Sequence, residues 1–271
     1  MALSNSKLLT NCYSTSFSLG IQALNKETHP AIYAIYGFVR LADEIVDTFH
    51  DQNKELLLDE FVVETQRAID RKMSTNPVLH SFQWAVNKYK IDQEFTDAFI
   101  QSMRFDLEMK QYNREEFDLY VYGSAEVVGL MCLRVFCHQD KERFDQLKGF
   151  ACKLGAAFQK INFLRDLKAD YEGKGRSYFP NLDLEQFGQI EKEAIEKEIE
   201  SDFKAGLKGI QQLPKNSKFG VYTAYIYYYA LFKKISKYKS ADILKKRIRI
   251  SNGKKFTLLF VSYVNYTFRR I

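Results

Sequence analysis

Two clusters of carboxylate side chains have the spacing that one face of an α-helix requires. In the first cluster, Asp43 and Asp47 are four residues apart, with Glu44 between them. Four residues make slightly more than one helical turn, so Asp43 and Asp47 would project from the same face, about 40° apart, and Arg40 would share that arc. Like charges at this spacing destabilise a helix unless a cation lies between them. Taken alone, the pattern is more typical of a solvated helix face.

The second cluster favours a chemical role over coincidence. Gln159, Asn162, Asp166 and Asp170 would lie within an arc of about 80° on another helix, and Arg165 flanks them. Oxygen ligands of these types are the ones that Mg²⁺ prefers, and bound cations would in turn hold phosphate oxygens. Two such faces directed at each other therefore predict a site for Mg²⁺ and a diphosphate. Three arginines close to the clusters could bind the diphosphate directly: Arg40, Arg165 and Arg176.

The elements that position these clusters are predicted to be helices. The 271 residues include only 13 glycines and four prolines, and each proline falls between stretches of helical periodicity. No internal repeat and no linker rich in Pro, Gly or Ser interrupts the chain. We therefore predict one domain over residues 1–271, folded as an all-α bundle. Periodicity is clearest in residues 31–49, 54–72, 77–89, 93–110, 114–138, 141–170, 184–213 and 219–238.

The composition is typical of a soluble globular protein, with 46% hydrophobic and 27% charged residues. The four cysteines form no CxxC pair and the four histidines show no metal-binding spacing, so neither a disulfide framework nor a zinc site is expected. The N-terminus lacks the pattern of a signal peptide. The apolar runs at residues 219–232 and 256–268 are too short to span a bilayer. We therefore expect a cytoplasmic protein without a transmembrane helix.

Basic residues are concentrated at the C-terminal end of the sequence. The formal net charge is +6, but residues 233–271 contain 12 basic residues and one acidic residue. A basic segment on an acidic body favours an anionic partner. Nucleic acid is not expected, because the charges are interleaved with apolar residues and match no known binding motif. One hypothesis is peripheral contact with the inner membrane surface through residues 256–268 and the basic pairs 254–255 and 269–270. The alternative is that this segment is an ordinary core helix.

The two clusters also resemble the aspartate-rich motifs of the squalene and phytoene synthase family, the head-to-head trans-prenyl transferases. The first motif is residues 43–47 (DEIVD) and the second is residues 162–170 (NFLRDLKAD), in the order that the family keeps. The resemblance covers essentially the whole chain. Departures occur at Tyr13 and Thr15, where many members have His and Lys, and at Glu126, where a glycine is common. Further matching segments are Ser16-Phe17, Asp106-Leu107, residues 122–129, residues 176–180 and the region of Arg247.

The resemblance implies an isoprenoid-synthase helical bundle around a central cavity. In that fold the two motifs face each other and bind Mg²⁺, or Mn²⁺, with the diphosphates of two prenyl substrates. The metal ligands that it implies are Asp43, Asp47, Asn162, Asp166 and Asp170. The residues that it implies as catalytic are Asp43, Asp47, Tyr122, Asp166 and Asp170. Tyr122 would lie near the departing diphosphate. The diphosphate contacts that it implies are Ser16, Phe17, Arg40, Arg165, Arg176, Tyr178 and Arg247.

Aromatic side chains are the second requirement of this chemistry, because a carbocation must be shielded from water and can be stabilised by aromatic faces. The chain is 15% aromatic. For most single aromatic residues, core packing is the more ordinary role. The aromatic residues on motif-bearing helices are Tyr36, Phe38, Tyr122 and Phe158.

The leading functional interpretation is the condensation of two geranylgeranyl diphosphates, through a cyclopropylcarbinyl diphosphate, to phytoene in carotenoid biosynthesis, with release of two diphosphates. The alternative within the family is a squalene or dehydrosqualene synthase that uses farnesyl diphosphate. Of these reactions, squalene formation would need NADPH. A third interpretation, a noncatalytic helical assembly factor, is disfavoured because both motifs are intact.

Overall fold

Helices account for about four fifths of the structure. The computed structural model describes residues 2–13, 15–109, 111–180, 182, 187–245 and 247–268, without the side chains of residues 11–13, 15–17, 174 and 252. No β-strand occurs among these residues, which confirms the predicted all-α class. The helices are α1 (Ala2–Tyr13), α2 (Thr15–Gln22), α3 (His29–Asp47), α4 (Lys54–Arg71), α5 (Pro77–Tyr89), α6 (Gln93–Glu108), α7 (Arg114–Val121), α8 (Val127–Cys137), α9 (Lys141–Lys174), α10 (Gln189–Gln212), α11 (Lys215–Ile235), α12 (Ser240–Ile243) and α13 (Asn252–Thr267).

The predicted periodic stretches correspond to helices α3 to α11, with a π-helical segment (Tyr122–Glu126) joining α7 to α8. The structure adds α1 and α2, whose sequences are too rich in Ser, Thr and Asn to show helical periodicity. The start of the predicted stretch 184–213 falls on residues 183–186, which lie outside the described residues. The uncertain apolar stretch near the C-terminus is α13.

Helix α3 lies in the middle of the bundle because apolar side chains cover most of its first three turns. It packs against α1, α4, α5, α6 and α8. Phe38 is fully buried and stacks on Phe82 of α5, with the ring centroids 3.8 Å apart. Gly37 allows α1 to come close, since a Cβ atom at this position would lie 2.9 Å from Ser6 Oγ. The first motif, at the C-terminal end of α3, therefore projects from a tightly packed helix.

The π-helical segment interrupts the helix that runs from Arg114 to Cys137. A π-turn contains one extra residue, so it rotates the side chains that follow relative to those that precede. Gly123 is required in this segment, because a Cβ atom there would lie 2.4 Å from the carbonyl oxygen of Ala98 in α6. Within the described ranges, this helix is long and apolar enough to cross a membrane, and half of its most apolar window is buried. It packs on α6 and α9, as is typical of a core helix.

Helix α9, which carries the second motif, has 34 residues and packs most extensively on α10. At this interface the buried ammonium of Lys160 lies 2.5 Å from Glu198 and 2.7 Å from Asp202. Burial opposes ionisation of Glu198, but hydrogen bonds from Arg114 and Lys160 outweigh it and lower the pKa to about 2. These ion pairs fix α9, and with it the second motif, against α10.

Replacing Glu198 with Gln should remove a stabilisation that depends on pH. A lowered carboxyl pKa stabilises the fold above the ordinary value of 4.5, and this contribution is lost as the pH falls toward 2. We expect Glu198→Gln to lower the free energy of unfolding by about 1–2 kcal/mol at pH 7. This is less than the full pKa shift would imply, because the Glu198 side chain is 34% exposed and solvent screens its charge. At pH 3 the expected difference is less than half of that. Urea unfolding at both pH values measures it.

Glu193→Gln is the matched control, because Glu193 lies on the exposed side of the same helix and accepts a hydrogen bond from the uncharged side chain of Gln189. We expect no pH-dependent difference for this control. A Glu198→Gln protein as stable as the wild type at pH 7 would contradict the role of the ion pairs.

Candidate active site

An apolar cavity of about 370 Å³ runs through the bundle. Its wall is formed by α2, α3, the π-helical segment with α8, α9, α10 and α11. Along α9 the lining extends from Leu147 to Asn162, a distance of about 22 Å at the helical rise per residue. An elongated apolar cavity of this size suits a hydrocarbon chain.

The polar part of the cavity wall lies toward the two motifs. Asn162 is the first residue of the second motif, and Tyr36 lies about two helical turns before Asp43 of the first motif. A molecule in the cavity would therefore have its apolar part among aliphatic and aromatic side chains and its polar end near the motif charges. The polar lining residues are Tyr36, Ser124, Gln159, Asn162 and Tyr228.

In the first motif, arginine side chains neutralise the carboxylates. Arg40 donates hydrogen bonds to Asp43 and Glu44, which lie about one turn farther along α3. Asp47 lies 3.7 Å from the guanidinium of Arg176, which belongs to the segment after α9. The Asp47–Arg176 contact connects the first motif with the end of the helix that carries the second.

Asp166, in the second motif, is held between two arginines. Arg165 donates to both carboxylate oxygens, at 3.0 and 2.5 Å. Arg247, from the segment between α12 and α13, approaches the same carboxylate to 2.6 Å. Burial opposes ionisation of Arg165, but the bond to Asp166 outweighs it and raises the pKa of the arginine, to which the charge of Asp170 also contributes. Folding thus brings Arg247 to the second motif, as the resemblance implies.

The two motifs supply side-chain oxygen atoms, which are the ligands that a hard divalent cation prefers. Asn162 Oδ1 is buried and has no hydrogen-bond partner within the described part of the chain, so a cation would satisfy it. Among the residues that the structure describes, no group of three His, Cys, Asp or Glu side chains lies close enough together to hold a metal ion. The motif carboxylates pair with arginines instead. A cation and the arginines would therefore compete for the same oxygens.

Asp106, on the last turn of α6, is the centre of a buried polar cluster. It is 6% exposed and accepts hydrogen bonds from Arg176 at 2.9 Å, Tyr120 at 2.9 Å and Tyr178 at 3.3 Å. Burial raises the pKa of Asp106 to about 7, although the charge of Arg176 and the bond from Tyr120 act in the opposite direction. Through Arg176, the cluster joins α6, α7 and the end of α9 to Asp47 of the first motif.

The end of α9 explains how Arg176 and Tyr178 reach this cluster. Gly175 has a φ of 64°, a left-handed conformation that suits glycine, and there the chain turns back. Tyr178 then stacks on Phe163 of α9, with the ring centroids 4.2 Å apart. The structure places Arg176 and Tyr178 as buried partners of Asp106. Their contact with a diphosphate, implied by the resemblance, stays a prediction.

Tyr120, and not Tyr122, is the tyrosine beside the second motif. The Tyr120 ring lies 5.8 Å from the ring of Phe163, three residues before Asp166. Tyr122 lies two residues farther along, on nearly the opposite side of the helix, and is outside the cavity wall. Burial raises the pKa of Tyr122, and the nearby thiol of Cys152 adds to this effect. Cys152 precedes Asp166 by about 21 Å along α9, so the structure separates Tyr122 from the motif.

The remaining predicted residues divide into three groups. Tyr36 and Phe158 line the cavity, as a role in stabilising a carbocation requires. Phe38 faces the core of the bundle instead. Ser16 and Phe17 belong to α2 by their backbone, and their side chains lie outside the described residues.

Reasoning from the sequence gave no role to Asp106 or Tyr120. A usable signal was present for Asp106, which lies three residues after Met103 and seven after Phe99 and so falls on the buried face of α6. A carboxylate on a buried helix face must be paired with a cation or hydrogen-bonded. No comparable signal marked Tyr120, because the chain contains 17 tyrosines.

Comparison with known proteins identifies the family of the chain. The sequence profile of the squalene/phytoene synthase family matches residues 10–254. The chain is similar to phytoene synthase 1, chloroplastic, of Zea mays, with 28% identity over 93% of this chain, and it spans 65% of the length of that relative. It is similar to the phytoene synthase of Arthrospira platensis, with 27% identity over 93% of this chain and 89% of that protein.

Two solved structures share the fold. A dehydrosqualene synthase in complex with a ligand is similar with a TM-score of 0.82 and 23% identity, over 98% of this chain and 96% of that chain. The squalene synthase HpnC from Alicyclobacillus acidocaldarius is similar with a TM-score of 0.76 and 22% identity, over 87% of this chain and 93% of that chain. Similarity at these identities establishes the fold, and it confirms the helical bundle that the motifs imply.

Asp106→Ala should destabilise the protein strongly, because it leaves the Arg176 guanidinium buried without its main partner. Breaking a buried ion pair in this way costs about 3–5 kcal/mol. For Asp97→Ala, on the exposed side of the same helix, we expect a change within about 0.5 kcal/mol. Urea denaturation measures both values. Equal stability of the two variants would show that Asp106 does not hold the cluster together.

Proposed function

Because the chain belongs to the squalene/phytoene synthase family, we propose that it is a head-to-head prenyltransferase that makes phytoene from two molecules of geranylgeranyl diphosphate. The observation that carries the proposal is the cavity, whose wall is mostly apolar along about 22 Å of α9 and becomes polar toward Asn162 of the second motif. A prenyl diphosphate has the same division into an apolar chain and a charged end. The choice of phytoene is supported by the curated relatives, which are phytoene synthases.

The proposed reaction has two ionisation steps. In the first, the allylic carbon–oxygen bond of one substrate breaks, and the double bond of the second substrate attacks the resulting cation. Loss of a proton closes a cyclopropane and leaves one diphosphate free and one attached. In the second, the remaining diphosphate departs, the carbon skeleton rearranges, and loss of another proton gives phytoene. No reductant is consumed.

The motif residues would neutralise the departing diphosphates. Oxygen atoms of Asp43, Asp47, Asn162, Asp166 and Asp170 would hold Mg²⁺, or Mn²⁺, which supplies positive charge at the leaving group. The positive charge of the arginines could then also stabilise the leaving group. Once their carboxylate partners are metal ligands, the guanidinium groups are free to bind diphosphate oxygens in the bidentate geometry that suits them. The arginines in this role are Arg40, Arg165 and Arg247.

The cavity wall would protect the carbocation from water. Phe158 of α9 stacks on Tyr228 of α11 with the ring centroids 4.1 Å apart, and both line the cavity together with Tyr36 of α3. Aromatic faces stabilise a nearby cation without reacting with it. Phe158 lies about one turn before Asn162 of the second motif, and Tyr36 lies about two turns before Asp43 of the first.

Arg176 and Tyr178 would act by holding the end of α9 in place. Arg176 links Asp106 of α6 to Asp47 of the first motif, at 2.9 and 3.7 Å. This linkage sets the distance between the motif on α3 and the motif on α9. A direct diphosphate contact would require that Arg176 exchange one of these carboxylate partners for the substrate.

The identity of the product is the central test. We expect purified protein with Mg²⁺ to convert geranylgeranyl diphosphate to phytoene without NADPH, as mass spectrometry of the extracted hydrocarbon would show. Squalene or dehydrosqualene formed from farnesyl diphosphate would keep the mechanism and overturn the proposed substrate. The absence of any hydrocarbon with either substrate would favour a noncatalytic helical protein.

Asp43→Asn and Asp166→Asn should each lower the rate of product formation by about a hundredfold or more, because each removes a charged ligand for the cation that stabilises the leaving group. A second measurement tests whether each variant has lost the proposed metal site. Mg²⁺ added with inorganic diphosphate should raise the melting temperature of the wild type and should not raise that of either variant.

The matched control is Asp70→Asn, an exposed carboxylate on α4 that accepts a hydrogen bond from Gln66. This variant should keep both the activity and the ligand-induced stabilisation. Full activity in Asp166→Asn would remove the second motif from the proposed metal site.

A further inference from the structure

Acidic residues are absent from four helices that pack side by side. Helices α1, α2, α11 and α13 contain seven lysines and neither Asp nor Glu. Both α2 and α13 pack on α11, and α1 packs on α2. Of the 34 acidic residues of the chain, 33 lie between Glu27 and Asp202, and the other is Asp242. The two ends of the sequence therefore fold together into a group of helices that carries lysines and no acidic residue of its own, which we call the basic face; at its edge Lys233 pairs with Glu200 of α10.

Helix α13 presents exposed aromatic side chains on this basic face. One side of the helix packs on α11, where the rings of Tyr266 and Phe219 are 5.3 Å apart. On the opposite side, Phe256, Phe260 and Tyr263 are 65%, 67% and 57% exposed. Their spacing of four and three residues places them within an arc of about 60°. We call these three residues the aromatic stripe.

Basic side chains lie beside the N-terminal end of the aromatic stripe. Lys254 and Lys255 are in the first turn of α13. Burial and the nearby charge of Arg249 lower the pKa of Lys255. The ammonium of Lys234 also lies near this end of the stripe, where it donates a hydrogen bond to the carbonyl oxygen of Arg249 at 2.7 Å. An anionic surface that approached here would be attracted by several charges at once.

We propose that the aromatic stripe and the lysines next to it dock the protein on an anionic lipid bilayer. A helix with aromatic residues on one side, lysines at its end and no acidic residue is typical of one that lies in the headgroup region. A second copy of this chain would bring the same positive face and be repelled. A single-stranded nucleic acid could stack on aromatic rings, but it would also need basic side chains along the stripe, and Lys254 and Lys255 lie only at its N-terminal end. This inference does not depend on the proposed reaction.

Docking through α13 would bring the polar end of the cavity close to the bilayer. The helix begins next to the C-terminal end of α11 and runs antiparallel to it, so that Tyr266 meets Phe219 at the other end. Arg247, five residues before α13, contacts Asp166 of the second motif. On the other side of α11, Ala224 and Tyr228 line the cavity. A lipid-like molecule in the bilayer would thus be separated from the cavity by little more than α11 and α13.

The test is flotation of the purified full chain with vesicles of phosphatidylcholine alone and of phosphatidylcholine mixed with phosphatidylglycerol. We expect binding to the anionic vesicles at about 0.1 M salt and much weaker binding at about 1 M. Phe256→Ser, Phe260→Ser and Tyr263→Ser together should lower the partition coefficient roughly tenfold or more. Lys254→Gln with Lys255→Gln should lower it several-fold and weaken its dependence on salt.

The matched controls remove similar groups elsewhere. Leu56→Ser, Leu119→Ser and Ile190→Ser together remove three exposed apolar side chains from α4, α7 and α10, and Lys141→Gln with Lys197→Gln removes two exposed lysines. Neither control should change vesicle binding. Circular dichroism confirms that each variant is folded, which the exposure of the replaced residues favours.

Three outcomes would overturn the proposal: binding that the aromatic variant leaves unchanged, equal binding to both vesicle types, or no binding at all. Light scattering after gel filtration tests self-association, and a dimer that the aromatic variant converts to a monomer would assign the stripe to a second copy. Hydrocarbon formation in detergent is measured in parallel. The aromatic variant should keep that activity, so a failure of docking and a failure of the proposed reaction are distinguishable.

Discussion

The structure depends on the neutralisation of carboxylates that lie at the ends of apolar helices. Asp43 and Asp47 on α3, Asp106 on α6 and Asp166 on α9 project where the surrounding side chains are mostly apolar, and each has an arginine partner. For Asp106, which is buried, loss of its partner would cost about 3–5 kcal/mol. The other three carboxylates are more exposed, so their pairing contributes less. Arg176 has the largest effect on architecture because it reaches two of them, Asp106 and Asp47, from the end of α9. The packing of the bundle and the geometry of the site are consequently determined by the same contacts.

These arginines also constrain how a substrate could bind. The carboxylates that would hold a cation are already paired, so a cation alone gains little by displacing a guanidinium group. A diphosphate alone would meet arginines whose charge is partly used. If both arrived together, the cation would bind the carboxylates and the diphosphate would bind the guanidinium groups, so that each displaced group would gain a new partner. Binding of the two is therefore expected to be cooperative, as coupling between sites that share charged partners requires. Arg247 takes part in this exchange from a segment far along the chain, so the C-terminal region is tied to the occupancy of the second motif.

Periodicity and spacing predicted the helices α3 to α11 and the shared faces of both motifs, because these depend on the geometry of a single helix. The features that escaped prediction depend on more than one element. The π-helical segment changes the phase of the helix between Tyr120 and Val127, and nothing in the local sequence separates Tyr120 from Tyr122 as the partner of the second motif. The role of Asp106 follows from contacts with α7 and the end of α9 that the sequence of α6 does not contain. Helices α1 and α2 lack a clear apolar stripe, so periodicity did not predict them. Close contacts between helices, such as that of Gly37 with Ser6, stabilise their packing instead. The resemblance implied Arg247 as a diphosphate contact, and its pairing with Asp166 is visible only in the folded chain.

The net charge of the chain does not show that its charges are unevenly distributed in space. The net charge of +6 is modest, yet nearly all acidic residues belong to helices α3 to α10, and the first and last helices have none. Because α2 and α13 both pack on α11, the acid-free ends of the sequence lie together. Helix α11 then separates two environments: the cavity on one side and the aromatic stripe of α13 on the other. A bilayer attracted to the basic face would be separated from the cavity by the thickness of one or two helices, about 10–20 Å. The proposed reaction would require both exclusion of water from a carbocation and access for water-insoluble molecules, and an apolar cavity beside a lipid-binding surface would provide both.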